Sequence, residues 1–205
     1  MLVNLRRSFL ISLAFLVIFG LAYPLAGTGV SMVFFKHQAE GSLVTDGKAV
    51  VGSTLIEQDW SYQGAKWFQG RPDGSVVTCE SAKGAVNCPQ AAAGVVVSGT
   101  QQWGPRSKAL EQFVASQAAR LKAEGIVPTN DLVTNSGSLV DPDISPQDAY
   151  DQVNAVARAN HLAAAEVKAL VASHVTGPRL GFLGAAHIDV LELNIALANL
   201  EGGRR

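Results

Sequence analysis

The residues of this chain that could carry chemistry stand apart, in none of the spacings that common catalytic sites require. A phosphate-binding loop needs glycines around a Lys-Ser/Thr pair, so that backbone amides cradle the phosphates and the hydroxyl holds magnesium. Gly47-Lys48-Ala49 lacks that hydroxyl, and its upstream glycine is misplaced. Gly177, Gly181 and Gly184 do not form a GxGxxG fingerprint, and neither a helical metalloprotease motif nor a nucleophile-elbow pentapeptide occurs. His37, His161, His174 and His187 are scattered, which is the pattern of structural or surface histidines rather than of a ligand set.

Three loops keep some capacity. Around Ser136-Gly137-Ser138, small residues flank a glycine, so successive backbone amides can converge on an anion. The competing reading is a turn closed by Ser and Asn side chains on their own backbone. Gly70-Arg71-Pro72 holds an arginine in a stiff turn, suited either to a partner's carboxylate or to a local surface pair. Cys79 and Cys88 lie in a Gly/Ala/Ser-rich stretch that can bend them together, in a spacing that matches neither CxxC nor a zinc pattern. A disulfide is the favoured expectation and two free thiols the alternative. Trp60, Trp67, Phe68 and Trp103 read as core, with an interface as the alternative use of such aromatics.

What positions these loops begins with the N-terminus. Arg6 and Arg7 are followed by an uncharged stretch from Ser8 to Phe35. A bilayer core about 30 Å thick is crossed by about 20 apolar residues in a helix, and Ser8–Ala26 is just long enough. A cleaved signal peptide remains the rival, since Gly20-Leu21-Ala22 offers small residues at a plausible cleavage point. Against it, Pro24 follows closely and the uncharged run continues. No cysteine follows the apolar segment, so lipoprotein processing is excluded. On either reading the cationic end stays inside and the bulk of the chain goes outside. The expected organisation is residues 1–7 cytoplasmic, a transmembrane helix over 8–28 and an extracytoplasmic domain over 36–205, in a plasma membrane.

The formal net charge of −1, with charged residues at only 16%, leaves no electrostatic footprint for nucleic acid. Residues 36–205 are enough for one domain with its own core. Lys48–Leu55 reads as a strand with a bulge at Gly52. Ser107 starts a helix with Leu110, Phe113, Val114, Ala118 and Leu121 on one face, ended by Gly125 and Pro128. Thr129–Ser145 reads as loop. Ser145, Pro146 and Asp148 then supply a capping hydroxyl, a proline at the first helical position and an acid in the first turn. A shorter helix carries Val167, Leu170 and Val171, Pro178–Gly184 is turn-rich, and Leu191–Leu200 is apolar nearly all round. The fold class is α/β (α+β), a single domain behind one N-terminal transmembrane helix, with strands too sparse for a doubly wound sheet.

Several ordered blocks carry a resemblance. Gly52–Gln58 (GSTLIEQ), Trp67–Pro72 (WFQGRP), Asp131–Ser138 (DLVTNSGS) with Asp141-Pro142 and Ile144–Pro146, then Leu180–Gly184 (LGFLG) and Val190–Asn194 (VLELN) run through nearly the whole chain. In these blocks the chain resembles the C subunit of the Kdp potassium-transporting P-type ATPase. It departs at Glu57 and Leu139, where that family has glycine, and at Ala185-Ala186, where it has Glu-Pro. The resemblance implies a non-catalytic subunit, and the Asp-Lys-Thr-Gly sequence that P-type pumps phosphorylate does not occur here. Its implied partners are a pore-forming A subunit, an ATP-hydrolysing B subunit, the small F subunit and the bilayer. Its implied role is to stabilise their assembly and raise the B subunit's affinity for ATP. No cofactor is expected on the chain itself, since ATP and potassium are handled by the complex. By the same resemblance Ser136, Gly137 and Ser138 are likened to a nucleotide-contacting signature, and Gln58, Phe68, Gly70, Arg71, Pro72, Asp141 and Pro142 are candidate partner contacts. If Arg6 and Arg7 sit inside, the serine loop is outside, away from cytosolic ATP, and the domain reads as an external cap over the pore subunit. An anchored hydrolase would need a catalytic cluster, and an anchored or secreted binding or adhesion module would stay soluble without transporter partners.

Overall fold

Residues 2–46, 49–58, 60–72, 98 and 103–202 are described by the computed structural model of the chain. Cys79, Cys88 and the bridge expected between them lie outside the described residues. The chain divides into two compact units, one up to Leu43 and one from Val44 onward.

The first unit is dominated by one apolar helical stretch of 33 residues, Leu2–Phe34, able by length and composition to cross a membrane. It is built from α1 (Leu2–Val17), a π-helical turn (Ile18–Ala22) and α2 (Tyr23–Phe34). Pro24 has no amide to give the carbonyl of Gly20, and the helix widens to a π turn just before it, with the Tyr23 amide bonded to the Ile18 carbonyl. The stretch overruns the expected span of 8–28 at both ends. Arg6 and Arg7 are good helix formers, so they mark the end of the apolar segment but not the end of the helix. At 1.5 Å per residue the whole measures about 50 Å, against a hydrocarbon core of about 30 Å. A single turn, α3 (Lys36–Ala39), follows.

The second unit mixes helices with two small strand pairs. Strand β1 (Leu43–Asp46) pairs with β2 (Ala49–Ser53), a shorter piece of the strand expected over Lys48–Leu55. At Gly52 a Cβ would stand 2.8 Å from Leu191 Cδ2 and 3.1 Å from Gln58, so glycine there permits close packing. Helix α4 (Lys108–Glu124) ends on Gly125, whose φ of 75° is the left-handed cap that glycine adopts without strain. The stretch read as loop, Thr129–Ser145, contains a one-turn helix, α5 (Asn130–Val133), and strand β3 (Asp143–Ile144). Both are too short to leave a periodic pattern.

Helix α6 (Pro146–Ala159) starts as its sequence signal predicts: Ser145 Oγ accepts from the Asp148 amide at 3.1 Å and donates to Asp148 Oδ2 at 2.6 Å. It packs on α7 (Ala164–Ser173), which in turn packs on α8 (Val190–Gly202). Strand β4 (Ile188–Asp189) leads into α8 and runs antiparallel to β3, with Asp143 opposite Asp189 and Ile144 opposite Ile188. Among the described residues the strands occur only in pairs, so the α+β class holds and no doubly wound sheet forms.

The core joins Leu121 of α4, Leu132 of α5, Ile144, Ala149, Val153 and Val156 of α6, Val167 and Val171 of α7, and Leu193 and Leu197 of α8. Phe68 is fully enclosed by it. The segment carrying Phe68 is extended and lies on no sheet, yet its backbone is satisfied. Asn194 Oδ1 accepts from the Phe68 amide and Asn194 Nδ2 donates to the Phe68 carbonyl, both at 2.9 Å. Gln152 Oε1 accepts from the Gln69 amide at 2.7 Å, and Gln152 Nε2 donates to the Gln69 carbonyl at 3.0 Å. Two side-chain amides, one on α6 and one on α8, thus take the place of a neighbouring strand. Gln69 extends the network through Nε2 to the Gly64 carbonyl at 2.7 Å and through Oε1 to Arg120 of α4 at 2.8 Å. Replacing Asn194 with Leu keeps the volume but strands one buried N–H and one buried C=O. Asn194→Leu is therefore expected to destabilise the domain by about 2–5 kcal/mol, read as a lower urea midpoint; an unchanged midpoint would remove the ladder from the account.

Candidate functional site

The amide ladder delivers Gly70, Arg71 and Pro72 to the loop that follows α5. Gly70 lies against Glu57 so closely that a Cβ would meet Glu57 Oε1 at 2.5 Å. Arg71 Nη2 donates to Asp131 Oδ1 at 2.7 Å, and Arg71 Nε faces Asp141 Oδ2 at 3.3 Å. Asn135 Nδ2 donates to the Pro72 carbonyl at 3.2 Å. From the other side the Glu57 amide donates to the Val140 carbonyl, and the Val190 amide to the Pro142 carbonyl, each at 3.1 Å. Four blocks far apart in sequence meet here, around one arginine.

Two pairs of carboxyls are pressed together beside this patch. Burial and a hydrogen bond to Asp148 push the Asp131 carboxyl above its ordinary value, against the pull of Arg71. Burial acts the same way on Asp148, but hydrogen bonds from Asp131, Ser145 and Thr129 outweigh it and hold that carboxyl low. The two neighbouring carboxyls are thus shifted in opposite directions, Asp131 up and Asp148 down. Across the β3–β4 pair, burial with Glu192 and Asp143 nearby pushes Asp189 up to about 6, although its Oδ1 accepts the Glu192 amide at 2.8 Å as a helix cap. Burial also raises Asp143, opposed by His187, whose Nε2 stands 3.9 Å away.

The serine loop closes on itself. Ser136 Oγ accepts from the Leu139 amide at 3.0 Å, Ser138 Oγ from the Val140 amide at 3.3 Å, and Ser98 Oγ donates to the Ser138 carbonyl at 3.1 Å. Leu139 takes a left-handed φ of 59° and buries its side chain, which pins the turn. Gly137 and Ser138 are its exposed residues.

Of the candidate contacts, Phe68 lies in the core with no exposed surface in the chain, in line with the first of the two readings of its aromatics. Pro72 is also buried, and Gln58 turns its Nε2 back onto the carbonyls of Ile56 and Glu57. Gly70, Arg71, Asp141 and Pro142 are half-buried in the convergence. Trp60 and Trp67 pack partly on the core, and Trp103 packs against Phe113 with ring centres 5.4 Å apart. His174 and His187 hydrogen-bond backbone carbonyls of Leu170 and Ala185. Sequence reasoning missed the partners of Arg71 and the roles of Gln152 and Asn194. A signal existed for the amides: Gln152 falls on the apolar face of α6 between Ala149 and Val156, and Asn194 interrupts an apolar helix. An open depression of about 440 Å³ lies elsewhere, lined mainly by alanines with Lys122, Glu124 and Arg158.

Comparison with known proteins identifies the family of the chain. The model of the family described as KdpC, the c chain of K+-transporting ATPase, matches residues 5–199. The chain belongs to the KdpC family. A potassium-transporting ATPase KdpC subunit of Rhodopseudomonas palustris strain TIE-1 is 44% identical over 202 residues, covering 96% of this chain and 97% of that protein. Proteins of the same name are 42% identical in Methylobacterium nodulans, over 98% of this chain and all of that protein, and 41% identical in Sorangium cellulosum. The convergence around Arg71 lies within the matched residues.

Two outcomes follow for stability. An acid whose folded pKa lies above its unfolded value opposes folding when ionised, so stability is gained as pH falls through the folded pKa and lost as pH rises through it. For Asp189 that window lies between its ordinary value and about 6. Asp189→Asn keeps the cap acceptor without the charge, so its melting temperature should exceed the parent's at pH 7.5, with the gap closing toward pH 5. A gap independent of pH would refute this. Arg71→Ala should cost about 1–3 kcal/mol, since it removes a charged hydrogen bond to Asp131 and an ion pair with Asp141. Thermal denaturation of the variant chain checks it, and an unchanged melting temperature would deny Arg71 a structural role.

Proposed function

We propose that this chain is the non-catalytic, single-span subunit of an ATP-driven potassium uptake complex, and that it stabilises the assembly of pore-forming and ATP-hydrolysing subunits. The observation that carries the reading is the family match over residues 5–199, spanning both the apolar helix and the domain. In this reading the helix is a retained anchor with Arg6 and Arg7 on the cytoplasmic side, following the bias of positive charge toward that side. The domain then stands outside the plasma membrane as a cap on the pore subunit. Its contact patch includes the loop Ser136–Pro142, whose outward residues Gly137 and Ser138 are free of core packing.

The role in ATP affinity follows from assembly rather than from direct contact. The Ser136 and Ser138 hydroxyls already accept amides of their own loop, which supports a structural turn over a nucleotide cradle. Arg71 is likewise engaged with Asp131 and Asp141, so it shapes the patch from within.

The test is purification of the tagged chain from cells producing the whole complex. Two large membrane proteins should come with it, and omitting the chain should lower potassium-stimulated ATPase activity and raise the KM for ATP. If the chain instead purifies alone, and the other subunits assemble and work without it, the accessory reading fails and an anchored binding module replaces it.

A further inference from the structure

Between α7 and β4 the chain forms a hairpin that projects its most apolar residues into solvent. Thr176 and His187 exchange backbone hydrogen bonds at 2.9 and 3.0 Å across its base. Nearer the tip, the Arg179 amide donates to the Leu183 carbonyl at 2.9 Å, and the Leu183 amide returns to the Arg179 carbonyl. Leu180 is 82% exposed, Phe182 74% and Leu183 52%. Leu180 sits at a φ of 54°, a left-handed conformation uncommon for a leucine, and Gly181 follows at 80°. Apolar side chains at a tip of fixed shape are poorly served by water. They mark a contact surface.

We infer that this hairpin is an anchor that inserts Leu180, Phe182 and Leu183 into an apolar cleft, rimmed by cationic residues, on another subunit of the complex. The inference rests on the accessory-subunit reading and names the surface that reading needs. Two observations select a protein cleft over the bilayer. The tip is held by its own hydrogen bonds in a strained conformation; a shaped pocket rewards such preorganisation, whereas fluid hydrocarbon does not. At the base of the hairpin stand Asp143, Asp189 and Glu192, with Arg179 the tip's one full cation. Loops that bind anionic lipid surround their apolar residues with Lys and Arg. An acidic base fits a cationic rim and is repelled by an anionic membrane surface.

The experiment uses the full chain co-produced with the other subunits. Leu180→Ser together with Phe182→Ser should lower recovery of the partner subunits about tenfold or more, with the melting temperature of the chain unchanged. Phe182→Leu, which keeps an apolar anchor, should restore most of the recovery. A Phe182→Trp reporter, read as a difference from the parent spectrum, should shift to the blue in the assembled complex only. Equal recovery by parent and double variant overturns the inference while leaving the accessory reading intact. A blue shift for the chain alone in nanodiscs of phosphatidylcholine and phosphatidylglycerol overturns it in favour of lipid. A dimer of the chain that the double variant abolishes overturns it in favour of self-association. A parent chain that recovers no partner overturns both readings.

Discussion

The second unit depends on two buried amides that serve as a missing strand. Trp67–Gly70 must cross the core in an extended form, and no sheet receives it. Buried backbone groups without partners are costly, so the crossing is possible only because Asn194 and Gln152 each offer a donor and an acceptor at peptide-like spacing. An aspartate or a leucine in either place supplies at most half of that pairing. The amides sit on α8 and α6, so one short segment fixes the separation of two helices. Gln69 then adds α4 through Arg120 and the helical turn ending at Lys66 through Gly64.

From this constraint the placement of charge follows. Once Phe68 and Gln69 are locked, Arg71 has little freedom, and it emerges where α5 presents Asp131 and the following loop presents Asp141. A single guanidinium bridges two loops that share no secondary structure. The carboxyls nearby are a consequence of the same crowding. Asp148 is tied to its capping serine at the start of α6, and Asp131 is held beside it, so burial and their mutual contact push Asp131 up while the cap holds Asp148 low. Asp143 and Asp189 face each other because the β3–β4 register that buries Ile144 against Ile188 leaves them no other position. Hydrophobic register sets the geometry there, and the electrostatics adjust by raised pKa values.

What could be read from the sequence divides along the same line. Helices α4 and α6 were legible because their caps and apolar faces are local: Ser145, Pro146 and Asp148 at one start, Gly125 at the other end. The turn at Pro178–Gly184 was legible from its glycines. Strand β3 and helix α5 were not, since two residues and four residues make no period. The partners of Arg71 lie 60 and 70 positions away, and the amide partners of Phe68 and Gln69 farther still, so spacing carries no trace of them. The aromatic assignment split for the same reason: Phe68 belongs wholly to the core, while composition alone had allowed it either place.

The polar groups of the candidate patch are turned inward, and that bears on what kind of protein this is. Arg71 is bound to two carboxylates, the loop serines to their own amides, and Asp189 to the helix it caps. Groups held in this way stiffen loops that would otherwise pay ordering entropy on every encounter with a partner. Exposed apolar side chains lie along the N-terminal helix, at the tip of the Thr176–His187 hairpin and around β2 at Val50, Val51, Leu55 and Ile56. The polar groups of the patch are thus held largely within the domain, while apolar groups stand at its surface. The amide ladder and the arginine bridge together fix the loops on which the candidate contacts of this KdpC-family chain lie.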